Sequence, residues 1–97
     1  MPTFIILTNF TEQGIRAVKD TVKRAEKFRD LAKQNGATVK ELYWTLGKYD
    51  VVSIIEAPDV ASITALGLSL GMGGNVRTQT LPAFSADEMA KVLAKVK

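Results

Sequence analysis

Apolar residues follow two patterns along this chain, and segments of the two kinds alternate. Residues 3–9 form a continuous β-rich apolar run, which predicts a strand buried on both faces. After Thr11, which can cap a helix, apolar residues recur at steps of three and four. This stripe consists of Ile15, Val18, Val22, Ala25, Phe28 and Ala32. Asn35 and Gly36 end the predicted helix, since glycine suits a left-handed C-cap.

A hairpin and a second helix follow in the pattern. Residues 37–46 and 49–56 are predicted strands, and the short turn that begins at Gly47 makes them an antiparallel pair. Asp59 can cap the second helix, which ends in a glycine-rich run that begins at Gly71. Residues beyond this run form one more strand and one more helix.

The fourth predicted strand covers residues 75–84, and Pro82 marks it as an edge strand because proline cannot donate to a ladder. Ser85 then caps a short helix over residues 87–96. The order βαββαβ predicts one α+β domain over residues 1–97, of ferredoxin-like build. Right-handed crossovers place the first and third strands at the centre of a four-stranded antiparallel sheet, with both long helices on one face.

The two central strands are apolar on both sides, which bears on assembly. Residues 4–7 and 51–55 do not alternate between apolar and polar, as strands with one face in water should. The face without helices would therefore carry a larger apolar patch than monomers usually show. We expect a second copy of the chain to cover it, in a homodimer or a higher oligomer. The alternative is that the C-terminal helix folds over this face.

Composition narrows the chemistry. The chain has no Cys and no His, which excludes disulfides, Cys/His zinc sites and nucleophile–histidine catalysis. Acid–base catalysis would need an Asp, Glu, Lys or Tyr with a shifted pKa. We therefore predict no metal and no cofactor, and the balance is against an enzyme.

Charge and hydropathy limit the partners. The net charge is only +3, and the basic residues of the first helix have acidic neighbours at helical spacing. The central strands lack the aromatic residues of an RNA-binding sheet, so no nucleic-acid partner is expected. No apolar run is long enough to span a bilayer, and the first residues lack a basic signal region. We predict a cytoplasmic protein without a membrane partner.

Several short motifs occur in a fixed order along most of the chain. They lie at residues 9–14, 47–50, 56–59, 74–81 and 83–85, and the second carries a Gly-x-Tyr-Asp turn. Together they resemble the GYD-domain family. The resemblance implies a ferredoxin-like fold of the dimeric α+β barrel type, and it implies no particular activity. Pro82 departs from the family pattern, which usually has a basic residue there.

Seven residues are candidates for a ligand site. They are Tyr43, Trp44, Lys48, Tyr49, Asp50, Asn75 and Arg77. Asp50 could instead bond amides of its own turn, with Gly47 at positive φ. Tyr43 and Trp44 are adjacent in a strand and should point to opposite faces. Similar hairpins in the ligand-sensing domains of leucine-responsive regulators resemble this one, and there a small molecule sits at a subunit interface.

The glycine-rich run and Arg77 each have two interpretations. Residues 71–75 lack the lysine of a phosphate-binding P-loop, which favours a flexible connection, although exposed amides there could bind an anion. Arg77 could anchor a ligand, or it could pair with Glu41 or Glu56 of another subunit.

These observations favour a non-catalytic homo-oligomeric module that binds a small, possibly anionic molecule at the sheet face or at a subunit interface. One alternative is a cofactor-independent enzyme, such as a monooxygenase or an isomerase, with Asp50 or a tyrosine as its base. A purely structural oligomer is the other alternative.

Overall fold

The computed structural model describes residues 1–97, with four strands and four α-helices. The strands are β1 Thr3–Phe10, β2 Thr38–Trp44, β3 Val51–Glu56 and β4 Val76–Ala83. The helices are α1 Glu12–Arg16, α2 Thr21–Gln34, α3 Val60–Met72 and α4 Ala86–Leu93. The predicted strands are all present, with ends that differ by a few residues.

The four strands form one antiparallel sheet in the order β2-β3-β1-β4. The α+β ferredoxin-like prediction is confirmed, with β1 and β3 at the centre. Pro82 lies on the edge strand β4, opposite Phe4 of β1, as its missing N–H requires.

The helices begin where the capping residues predict. The side chains of Thr11, Asp59 and Ser85 each accept a hydrogen bond from a backbone N–H three residues later. These bonds satisfy donors that a helix otherwise leaves without partners.

The prediction of one continuous first helix is wrong. The chain breaks at Ala17, and a 3₁₀ turn over Val18–Asp20 separates α1 from α2. Arg24 stabilises the break, because its guanidinium donates to the carbonyl oxygens of Ala17 (2.7 Å) and Gly14 (3.2 Å). The predicted apolar stripe is divided as a result. Phe28 and Ala32 are buried, whereas Ile15, Val18 and Val22 are exposed.

The hydrophobic core fills one end of the layer between the helices and the sheet. Its ten residues are Phe4, Ile6, Phe28, Ala32, Ala37, Val39, Ile55, Ala57, Ile63 and Leu66. Only 13 of the 97 residues are buried, so the core is small, and it does not extend to the other end of the layer.

The other face of the sheet, called the open face below, carries no helix. Its apolar side chains are Ile5, Leu7, Val52, Ile54 and Leu81, and all are at least partly exposed. Helix α4 makes no extended contact with any other helix or strand, and the molecule is 49 Å long. The chain therefore does not fold α4 over its own open face.

Candidate functional site

The β2–β3 hairpin is held by backbone conformation and by Asp50. Gly47 has φ of 117°, which confirms the expected positive φ. The Asp50 carboxylate accepts a hydrogen bond of 2.8 Å from the backbone N–H of Phe10, and its own N–H donates to the carbonyl oxygen of Thr8 at 2.9 Å. Asp50 thus binds an amide of neighbouring β1 and not, as its structural interpretation expected, one of its own turn.

Tyr43 and Trp44 point to opposite faces of the sheet, as their adjacency predicts. The Trp44 indole N–H donates to the Thr21 hydroxyl on α2 at 2.9 Å, which places this ring on the helix side. The Tyr43 hydroxyl donates to the Glu41 carboxylate at 2.9 Å. This hydrogen bond, together with the negative charge of Glu41, raises the pKa of Tyr43 above its usual value. A tyrosine base would need a lowered pKa, so Tyr43 is poorly suited to that role.

One end of the open face is polar. The strand register places Arg77 opposite Asn9, and the Tyr49 hydroxyl donates to the Gln79 side chain at 3.4 Å. The Lys48 ammonium group lies 5.8 Å from the centre of the Tyr49 ring. Arg77 makes no ion pair within the chain. We call Asn9, Tyr49, Arg77 and Gln79 the polar end of the open face.

The glycine-rich connection between α3 and β4 is held against the start of α1. The Thr11 backbone N–H donates to the carbonyl oxygen of Asn75 (3.0 Å), and its hydroxyl donates to that of Gly74 (2.6 Å). The backbone N–H groups of Gly73 and Gly74 donate to carbonyl oxygens of α3 at 3.2 and 3.1 Å. These two amides are therefore already engaged and do not form an anion cradle.

The candidate residues fall into separate groups. The structure brings Tyr49 and Arg77 to the polar end, with Lys48 beside the Tyr49 ring, and Tyr43 lies further along the open face. Trp44 and Asn75 lie on the other side of the sheet, where both line a groove. Their neighbours in sequence did not indicate this division, because it depends on the strand register.

This groove, called the helix-side groove below, occupies the end of the helix–sheet layer that the core leaves unfilled. It has a volume of about 610 Å³ and lies between α2, α3 and the strands. Sequence analysis missed four residues that line it, namely Thr8, Phe10, Arg24 and Ser53. The available signal was the hydroxyl residue at or near the end of each apolar central run.

Two further searches bear on function. No group of three or more acidic side chains comes together in a way that could hold a metal ion. No helix has the length and apolar character that crossing a membrane requires.

Comparison with known proteins places the chain. The family model for the GYD domain matches residues 4–93. A protein of Thermus thermophilus named "Glutamine synthetase and cystathionine beta-lyase binding protein" is 36% identical over 98 residues, which cover the whole of both chains. The crystal structure of a second Thermus thermophilus protein, TTHA0845, is 25% identical, with a TM-score of 0.56 over 89% of this chain and 96% of that one. The chain belongs to the GYD-domain family.

Proposed function

We propose that this chain is a cytoplasmic, non-catalytic binding protein that works as a homo-oligomer. In this proposal a second copy covers the open face, and a small anionic molecule binds where the two copies enclose the polar end.

The apolar open face carries this proposal. Ile5 and Leu7 of β1 and Val52 and Ile54 of β3 lie side by side at the centre of the sheet, and no part of the chain covers them. Exposed apolar patches of this kind mark interaction sites in most proteins. A second copy supplies a matching surface through two-fold symmetry, because each subunit presents the same patch.

The polar end supports a ligand beside this interface. Arg77 has no acidic partner in its own chain, and a positive charge enclosed by a second subunit would need one. An anion from solution, or Glu41 of the other copy, would meet that need. Tyr49 and Gln79 offer further hydrogen-bonding groups at the same place.

Self-association is tested by placing a charge on the open face. We expect L7E to leave the fold intact, because Leu7 is partly exposed in the single subunit, and to shift the protein to monomer. The matched control is V22E, which puts the same charge at an exposed apolar position of α2. Sedimentation velocity gives the masses. A parent protein that sediments as a monomer at low micromolar concentration would refute the proposal.

The ligand is tested by thermal shift against a set of metabolite anions. We expect R77A to weaken binding of an active compound by about tenfold, from the loss of one charge-assisted interaction, while its assembly is retained. D50A is a less clean probe, because it also removes the hydrogen bond to Phe10. If R77A assembles and binds as the parent does, the polar end is not the ligand site.

The relative from Thermus thermophilus favours a second candidate, which is binding to an enzyme. Its printed name describes a protein that binds glutamine synthetase and cystathionine beta-lyase, and the two chains align over their full lengths. Mixing this protein with those two enzymes from its own source and measuring the sedimentation of each mixture tests this candidate. Unchanged sedimentation of both enzymes at micromolar concentrations would exclude it.

A further inference from the structure

The helix-side groove is built from rings and aliphatic side chains that do not close on one another. Phe10, Phe28 and Trp44 line it, together with Leu42 and Leu70. The Trp44 indole, bonded to Thr21, ties β2 to α2 at one wall. A volume of about 610 Å³ lies within the range of pockets that hold small ligands. The groove is therefore large enough, and apolar enough, to take an organic molecule.

Two hydroxyl groups lie on the floor of this groove. Thr8 is 8% exposed and Ser53 is 2% exposed, and they stand on the adjacent central strands β1 and β3. No side-chain hydrogen bond within the chain uses either hydroxyl, yet neither oxygen is sealed off without a partner. Both oxygens are therefore accessible only from the groove. Buried polar groups are nearly always hydrogen-bonded, so this pair indicates a polar partner inside it.

The groove also carries an excess of positive charge. Lys23, Arg24 and Lys27 line it from α2, against a single carboxylate from Asp20. The Arg24 guanidinium is held in place by two backbone carbonyl groups and lies 5.8 Å from the centre of the Phe10 ring. Two of its five N–H donors are used in these bonds, which leaves the others for a partner. A negatively charged group beside Arg24 would be favoured.

From these three features we infer that the helix-side groove is a binding site for a small amphipathic anion. Its ring or branched chain packs among Phe10, Phe28 and Trp44. Its carboxylate or comparable anionic group faces Arg24, and a polar atom of the ligand meets the hydroxyls of Thr8 and Ser53. A mostly apolar pocket with a few placed polar groups is the usual form of such sites. This site lies within one subunit, on the opposite side of the sheet from the polar end, and does not depend on assembly.

The test uses 8-anilinonaphthalene-1-sulfonate, an aromatic anion whose emission rises in apolar surroundings. Trp44 is the only tryptophan of the chain and lines the groove, so probe bound there quenches Trp44 emission by energy transfer. We expect 3-phenylpropanoate to displace the probe and to restore that emission. The neutral 3-phenylpropan-1-ol should need about fivefold higher concentration, because it lacks the charge.

Variants locate the site. A25F places a ring in the groove and should abolish Trp44 quenching, whereas A65F, at an exposed position of α3, should not. T8V keeps the shape of the side chain without its hydroxyl and should weaken 3-phenylpropanoate about tenfold, with an unchanged or raised melting temperature. T8V also keeps the test decisive if A25F does not fold.

Three results would overturn the inference. They are parent-like binding in T8V, probe emission without Trp44 quenching, and binding that strengthens on dilution because a second copy occupies the groove. The variant L7E separates the two proposals. Unchanged binding in L7E supports a groove that works in the single subunit, whatever becomes of the proposed oligomer, and lost binding in a folded L7E contradicts it.

Discussion

Gly14 has the least room for a side chain among the glycines of this chain. It is buried in α1, and a Cβ atom there would overlap the backbone carbonyl group of Asn75. Thr11 and Gln13 hold the same connection, through bonds to Gly74 and Asn75. The close approach of two backbone segments, and not a positive φ, therefore requires glycine at this position.

We expect G14A to destabilise the protein by about 1–3 kcal/mol, because backbone must move to admit the methyl group. The matched control is G71A in α3, where an added Cβ meets nothing within 4 Å. Removing a helical glycine there should stabilise the protein by about 0.5–1 kcal/mol. Urea unfolding gives both values. Equal stability of the two variants would contradict the close approach of Gly14 to Asn75.

Helix α4 depends on local interactions to an unusual degree. It has eight residues and makes no extended contact with other elements, and helices this short are marginal on their own. A capping box stabilises its start. The Ser85 hydroxyl accepts from the backbone N–H of Glu88 at 3.2 Å, and the Glu88 carboxylate accepts from that of Ser85 at 2.9 Å.

The capping box makes α4 sensitive to acid. The hydrogen bond from the Ser85 backbone lowers the pKa of Glu88 below its usual value. Since the folded-state pKa is the lower one, the contribution of the carboxylate is present above the unfolded-state pKa and is lost as the pH falls through the folded-state pKa. We expect the backbone amides of residues 88–93 to lose protection from hydrogen exchange between about pH 5 and pH 3.

The variant E88Q is the control for this titration. Glutamine also completes a capping box, so E88Q should keep a helix whose protection does not change over that pH range. If the parent and E88Q lost protection together on acidification, the capping carboxylate would not be the cause.

At the scale of the whole molecule, the helix–sheet layer has two different ends. The end around Phe4, Ile6 and Ile55 is packed core, whereas the end around Thr8 and Ser53 is a groove. A small core stabilises a subunit only modestly, so surfaces left uncovered matter more here than in a larger protein. The open face and the apolar side of α4 are two such surfaces.

Removal of residues 86–97 tests whether α4 contributes to the subunit. We expect the unfolding free energy to change by less than about 1 kcal/mol, because α4 buries little against the rest of the chain. I6A gives the scale for comparison. Ile6 is fully buried, and its truncation should cost about 2–5 kcal/mol. Urea unfolding of both proteins at low concentration measures the difference, and a comparable loss on truncation would contradict the isolated position of α4.

The break at Ala17 shows where prediction from the pattern stopped working. The spacing of Ile15, Val18 and Val22 fits a continuous helix, and no proline interrupts it. The break depends on Arg24, which reaches back along the chain to donate to two carbonyl oxygens, and on the contact between Gly14 and Asn75. Those contacts join residues that are not neighbours in sequence, which a local pattern does not record. The predicted binding role of Tyr43, Tyr49 and Arg77 stays a prediction for the same reason.

The order of apolar segments, their periods and the capping residues determined the secondary structure and, through right-handed crossovers, the central place of β1 and β3. These are local or topological properties, so the sequence carries them directly. Only the tertiary structure decided which face each side chain occupies, that α4 stands away from the sheet, and that the layer under α2 holds a groove. Such features depend on register and on how volumes fit together, because a shift of one residue moves a side chain to the other face.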